Sequence, residues 1–208
     1  MKPHLDNLIP ACRTDFKEYR PHQFIENDGK NCILPNEFIR MCPWETRYVG
    51  AVANAAKIGI VEIGRYYGGS TLVLASQTDK LVHSFDNDPK DDDTLATFID
   101  QYTLNNVNLY VHDSTDPGPS QHIEYDVLFI DGDHTFEGVY KDMLAWYDNL
   151  KVGGHVLFHD CYVGYYIQEA IMEFTLDKNV QFFTSPFNGM DYWSNSHGSI
   201  CHFRKLGD

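Results

Sequence analysis

From residue 58 onward, short apolar runs alternate with stretches whose apolar residues recur at helical spacing. The runs cover 59–63, 81–85, 107–111, 126–130 and 155–158 and are rich in Val, Ile, Leu and Phe, as buried parallel strands are. Between them the spacing predicts helices over 70–77, 94–104, 135–150 and 163–176, and one more over 44–56 ahead of the first strand. In the clearest of these, Phe136, Val139, Tyr140, Met143 and Tyr147 share one face and Gly153-Gly154 ends the segment. The gap between 111 and 126 holds Pro117 and Pro119, so that crossover is truncated or irregular. Strand alternating with helix implies an α/β doubly wound, mostly parallel sheet with helices on both faces. Two further runs, 180–183 and 199–203, are joined by a Gly/Pro/Asn-rich loop and predict antiparallel pairing at one sheet edge. Residues 1–40 are polar and irregular, with prolines at 3, 10, 21 and 35, and read as a cap on a single domain spanning 1–208 whose core is 58–208.

Composition narrows the class. The chain has 208 residues, 43% of them apolar, with 30 acidic against 16 basic side chains and a formal net charge of −14. Nucleic-acid binding draws on Lys and Arg contacts to phosphate, so a nucleic-acid partner is disfavoured, and so is docking on an anionic membrane. No apolar run approaches the roughly 20 residues that span a bilayer, and the N-terminus lacks the apolar stretch of a signal peptide. Five scattered cysteines, Cys12, Cys32, Cys42, Cys161 and Cys201, form no CxxC pair and read as reduced thiols of a cytoplasmic protein. A homo-oligomer is left open.

The candidate chemistry lies at the carboxyl ends of the strands, where doubly wound sheets hold their ligands. The first strand runs into Val61-Glu62-Ile63-Gly64-Arg65-Tyr66-Tyr67-Gly68-Gly69-Ser70-Thr71. Glycines there let the backbone pass close to a ligand, and the following helix offers free amides. A dinucleotide site needs its second glycine where Tyr66 stands, which disfavours NAD. Asp86 ends the second strand about 20 residues on, where a carboxylate can accept both ribose hydroxyls. The bland reading of these features is a tight strand-to-helix turn and a helix-entry aspartate. The fourth strand ends in Ile130-Asp131-Gly132-Asp133-His134 and the fifth in Phe158-His159-Asp160-Cys161. If the two strands are neighbours, Asp131 and Asp160 converge, and facing carboxylates repel unless they share a proton or hold a cation. Oxygen ligands favour Mg²⁺, Mn²⁺ or Ca²⁺. Otherwise one aspartate caps a helix and the other holds a loop.

The E-x-G-x-x-x-G-G-S-T pattern at Glu62, Gly64, Gly68, Gly69 and Ser70 resembles the first motif of class I S-adenosylmethionine (SAM) methyltransferases. The I-D-G-D-H-T-F-E-G-V and G-G-H-V-L-F-H-D segments are similar to a small subgroup that includes O-methyltransferases acting on sugars and cephalosporin-hydroxylase-like proteins. The likeness covers about 58–162. It implies a Rossmann-like seven-stranded sheet and SAM bound by those loop residues, Asp86, Asp113, Ser114 and Asp131. It further implies a divalent cation, Mg²⁺ foremost, at Asp131 and Asp160, and His134 as general base for methylating a small hydroxylated acceptor such as a sugar or phenol; His159, beside Asp160, is a candidate third ligand on its residue type alone. His159 and Cys161 depart from the subgroup's more acidic strand-five end. Two rival readings stay open: an NAD-dependent oxidoreductase, and a SAM-binding protein that has lost its chemistry.

Overall fold

The computed structural model describes residues 2–12, 38–116, 122–161, 165–184 and 199–207. Its elements run α1 (Leu5–Leu8), α2 (Pro43–Ala55), β1 (Gly59–Ile63), α3 (Gly69–Gln77), β2 (Leu81–Asp86), α4 (Asp92–Gln101), β3 (Val107–Val111) and β4 (Tyr125–Ile130). They continue with α5 (Phe136–Trp146), β5 (Leu150–Phe158), α6 (Tyr165–Thr175), β6 (Val180–Thr184) and β7 (Cys201–Lys205). The strands form one sheet in the order β3-β2-β1-β4-β5-β7-β6. The first five are parallel, and β7 runs antiparallel to both β5 and β6.

Successive side chains of a strand point to opposite faces, so each central strand feeds two cores. Ile60, Val82, Val127 and Phe129 pack with Val49 and Ala53 of α2, Leu72 and Val73 of α3, and Leu95 and Phe98 of α4. Val61, Ile63, Phe85, Leu128 and Ile130 pack on the other face with Val139, Met143 and Trp146 of α5 and Ile167, Ile171 and Phe174 of α6. No described helix is long and apolar enough to cross a membrane.

Three expectations need correction. Gly153-Gly154 does not end a helix: α5 stops at Trp146, one 3-10 turn follows, and β5 starts at Leu150, running through both glycines with an irregular register against β4. The fourth helix starts at Asp92, because the Asp91 side chain accepts from the Thr94 amide and caps it while Asp92 and Asp93 lie in its favourable first turn. The N-terminal stretch is not only a polar cover. Leu8, Cys12, Phe38 and Ile39 are fully buried in the α2–α3 core, with Cys12 and Ile39 joined by an isolated parallel β-bridge. Pro21, Pro35 and Cys32, the prolines of the third crossover and the aromatic tail around 187–193 lie outside the described residues.

On α5, Trp146 is 1% exposed and Leu144 58% exposed. Trp146→Ala should cost about 3–5 kcal/mol by opening the second core, and Leu144→Ala should stay within about 0.5 kcal/mol, measured by urea unfolding at constant m-value.

Candidate active site

Backbone hydrogen bonds continue the sheet past its strand ends and fix the loops that follow. The Gly64 amide donates to Phe85 O, Asp131 N to Ile63 O, His159 N to Ile130 O and His112 N to Asp86 O, at 2.8 to 3.1 Å. The five parallel strands therefore present their C-terminal residues along one rim, around a cavity of about 700 Å³.

The glycine loop is dictated first by the chain's own packing. Gly64 has φ +82°, and a Cβ there would meet the Asp131 carbonyl oxygen at 2.2 Å. The β1 and β4 ends touch only because that atom is missing. At Gly69 a Cβ would meet Phe38 O at 2.4 Å, so the N-terminal segment supplies the constraint. Tyr66 takes a left-handed conformation, φ 52°, and its half-exposed ring enters the cavity wall beside Arg65. Asp86 holds this loop. One carboxylate oxygen accepts from the Arg65 and Tyr66 amides at 3.0 and 2.8 Å, and the other from Asp88 N at 2.8 Å. Three of about four lone-pair positions are thus filled by the chain's own amides. A further tie is Arg65, whose buried guanidinium pairs with Asp92 and donates to Ser84 O and Tyr110 O.

Gly64, Gly69, Ser70, Asp86, Asp113, Ser114 and Asp131 all line the cavity, whereas Glu62 and Gly68 do not. Glu62 is fully buried on the α3 face of β1, where Oε2 accepts from the Thr71 hydroxyl at 2.5 Å. Burial raises its carboxyl to about 7 against hydrogen bonds that lower it. Asp113 turns toward Thr115, whose amide and hydroxyl both donate to it and hold its carboxyl below the ordinary value.

At the β4 and β5 ends the two aspartates converge as the strand order requires. One oxygen of Asp131, one of Asp160 and a ring nitrogen of His134 all lie within 4.8 Å of one another, a geometry that suits a metal ion. His134 Nε2 is 3.6 Å from Asp131 and 4.0 Å from Asp160. Asp160 carries φ 53°, so its backbone is strained at this point. His159 meets the same two carboxylates from a buried position. It is 4% exposed, with Nδ1 facing Asp131 at 3.2 Å and Nε2 facing Glu45 at 3.2 Å. With both nitrogens facing carboxylates, His159 stays outside the Asp131–His134–Asp160 group whose atoms lie within 4.8 Å of one another. Burial opposes a charge on His159, but Asp131, Asp160 and Glu45 outweigh it and raise its pKa well above the ordinary value. Burial would likewise raise Glu45, but His159 and Ser199 bring it down to about 2.

Two participants escaped the sequence reading. Glu45, near the start of α2, takes the Ser199 amide and hydroxyl as well as His159. Its spacing after Cys42 signals only a helix cap, and the same side chain does bond the Cys42 amide. Asp142 lines the cavity from α5, 2% exposed. Here a signal existed: Val139, Asp142, Met143 and Trp146 follow i, i+3, i+4, i+7 spacing, which places an acidic residue on the apolar stripe.

A glycine loop, the aspartate ending β2 and paired strand-end carboxylates thus share the rim of a 3-2-1-4-5-7-6 sheet, the Rossmann-like fold also found in solved methyltransferases. Residues 61–161 match the family model described as a methyltransferase domain. The chain is 30% identical over 118 residues to Uncharacterized protein R132 of Acanthamoeba polyphaga mimivirus, a match covering 48% of this chain and spanning about half (50%) of that relative. Among solved structures it resembles the O-methyltransferase NovP (14% identity, TM-score 0.61, 80% of this chain and 81% of that one). It also resembles an rRNA methylase from Streptococcus thermophilus (13% identity, TM-score 0.59, 78% and 97%). At these identities the two structures share the fold.

The raised Glu62 carboxyl gives a pH signature. The folded state holds that proton from an ordinary pKa near 4.5 up to about 7, so stability falls as pH rises through this window. Glu62→Gln keeps an acceptor for Thr71 and should remove the fall, gaining roughly 2–4 kcal/mol over wild type above neutral pH and little below pH 4.5. Urea unfolding across pH measures this, and parallel pH profiles for the two proteins would contradict it.

Proposed function

We propose that this chain is a SAM-dependent methyltransferase that methylates a hydroxyl oxygen of a small acceptor, such as a sugar or phenol, with help from a divalent cation. The observation that carries this reading is that one cavity joins the glycine loop and Asp86 to the Asp131–His134–Asp160 cluster. SAM supplies a methyl group on a sulfonium when it binds. The chain's residues then do the rest: Asp86 and the loop amides place the nucleoside. Asp131, His134 and Asp160 offer two carboxylates and an imidazole, a donor set that suits Mg²⁺ or Mn²⁺ and would lower the pKa of a bound hydroxyl. The likeness to an O-methyltransferase supports the same acceptor chemistry, and the net charge of −14 supports a small acceptor over RNA.

Asp86 does two jobs in this scheme, which a ligand-by-mutant cycle separates. Wild type should bind S-adenosylhomocysteine (SAH) about tenfold more tightly than its 2′,3′-dideoxy analogue, a gap that should vanish in Asp86→Ala. Equal affinity of wild type for the two ligands, by calorimetry, would remove Asp86 from the ribose site.

His134 as ligand and His134 as general base predict different losses. As a ligand, its replacement by Ala should weaken Mn²⁺ binding at least tenfold, as Asp131→Asn should. A base would leave Mn²⁺ affinity intact while turnover with labelled SAM and an acceptor found by screening falls about 10²–10⁴-fold. Thermal melts with and without millimolar Mn²⁺ read the first quantity. A wild-type protein whose melting ignores the cation would discard the metal, and one that binds SAH yet labels no hydroxylated acceptor would be a silent relative.

A further inference from the structure

Asp142 is a buried carboxyl with unused bonding capacity at the cavity wall. Its side chain comes from the apolar stripe of α5 and is 2% exposed. Oδ1 accepts from the Ser114 hydroxyl at 2.6 Å, and α5 grips Ser114 a second time, through Trp146 Nε1 donating to Ser114 O at 2.8 Å. Oδ2 accepts from no described residue, and it lies 3.4 Å from where a Cβ on Gly132 would stand, so it points at the cavity's floor. Burial raises the carboxyl to about 6, Ser114 opposes this, and the two charges that act on it, Asp113 and Asp133, are both negative. An acceptor oxygen open to a ligand cavity, on a carboxyl otherwise enclosed by α5, is placed to take an N–H or O–H donor from the ligand.

The sheet order says which donor. The reactive cluster lies at the β4 and β5 ends, Asp86 at the β2 end, and Ser114 beyond the β3 end. A nucleoside held at Asp86 with its sulfonium toward the cluster must send its base toward β3, where Ser114 holds Asp142. The nucleoside half of SAM has three donor groups: two ribose hydroxyls and the exocyclic amine of adenine. Resting on the SAM reading above, we propose that Asp142 is the base-specificity residue of this site, accepting a hydrogen bond from the exocyclic amine of adenine and so selecting adenine over a 6-oxo purine.

The test is calorimetry with SAH and S-inosylhomocysteine, whose 6-oxo group accepts where adenine donates. Wild type should favour SAH at least tenfold, since a site built around a donor rejects an analogue lacking it. Asp142→Asn keeps an oxygen for Ser114 and presents an N–H₂ to the base, so the preference should collapse or reverse. A preference in Asp142→Asn equal to wild type's overturns the assignment while leaving SAM binding intact. If the variant's loss instead tracks SAH against its desamino analogue, the carboxylate serves the amino-acid tail and the assignment again fails. Wild type binding none of these ligands overturns the SAM reading itself, and the assignment with it. Should Asp142→Asn not fold, the N6,N6-dimethyl analogue of SAH decides on wild type: at least a tenfold loss supports the assignment, and a smaller one overturns it.

Discussion

A buried chain of opposite charges, Glu45 to His159 to Asp131 and Asp160, fixes the geometry on which the rim of this sheet depends. Two carboxylates on one side of an imidazole and one on the other would be prohibitive to desolvate singly, and breaking such a pair costs about 3–5 kcal/mol. Together they are tolerable because the most deeply buried carboxylate is well met: Glu45 also takes Cys42 N and both donors of Ser199, and the Ser199 hydroxyl in turn accepts from Asp160 N. The chain ties α2, β4, β5 and the segment before β7 into one unit. It also decides where Asp131 points, because an oxygen held by His159 cannot swing away from the cavity.

The same economy governs the loops. Gly64 lets β1 and β4 meet without a side chain between them, and Asp86 spends three acceptor positions on the loop that Gly64 begins. The cavity is therefore shaped before any ligand arrives, by contacts the protein needs for itself. Catalytic sites profit from such preorganisation, since groups already held in place need no rearrangement when charge develops.

How much of this was legible beforehand follows from the range of each interaction. The strands of the parallel core, their order at β4–β5 and the convergence of Asp131 with Asp160 are set by local apolar runs and a standard crossover rule, so the sequence carries them. The role of His159 is not local. Its ring meets Glu45 from 114 residues away, and nothing near either residue marks the pairing. The end of α5 was misplaced because Gly153-Gly154 looks the same as a helix stop and as a strand kink. Asp142 was visible as an acid among apolar neighbours, but its meaning needed Ser114, which the fold brings from β3. Glycines read as making way for a ligand turned out to make way for backbone at 64 and 69.

The strand order has a consequence for synthesis. β7 follows β6 in the chain yet sits between it and β5 in the sheet, with Phe203 wholly buried. A ribosome delivers residues in order, so β6 emerges with its only neighbour in the sheet still unmade, and β5 waits with one edge unpaired. Until Cys201–Lys205 clears the exit tunnel, that edge offers open N–H and C=O groups to any other strand nearby. The nascent protein is thus most prone to mispairing between the emergence of β6 and that of β7, and this side of the sheet closes in a single step rather than by gradual accretion.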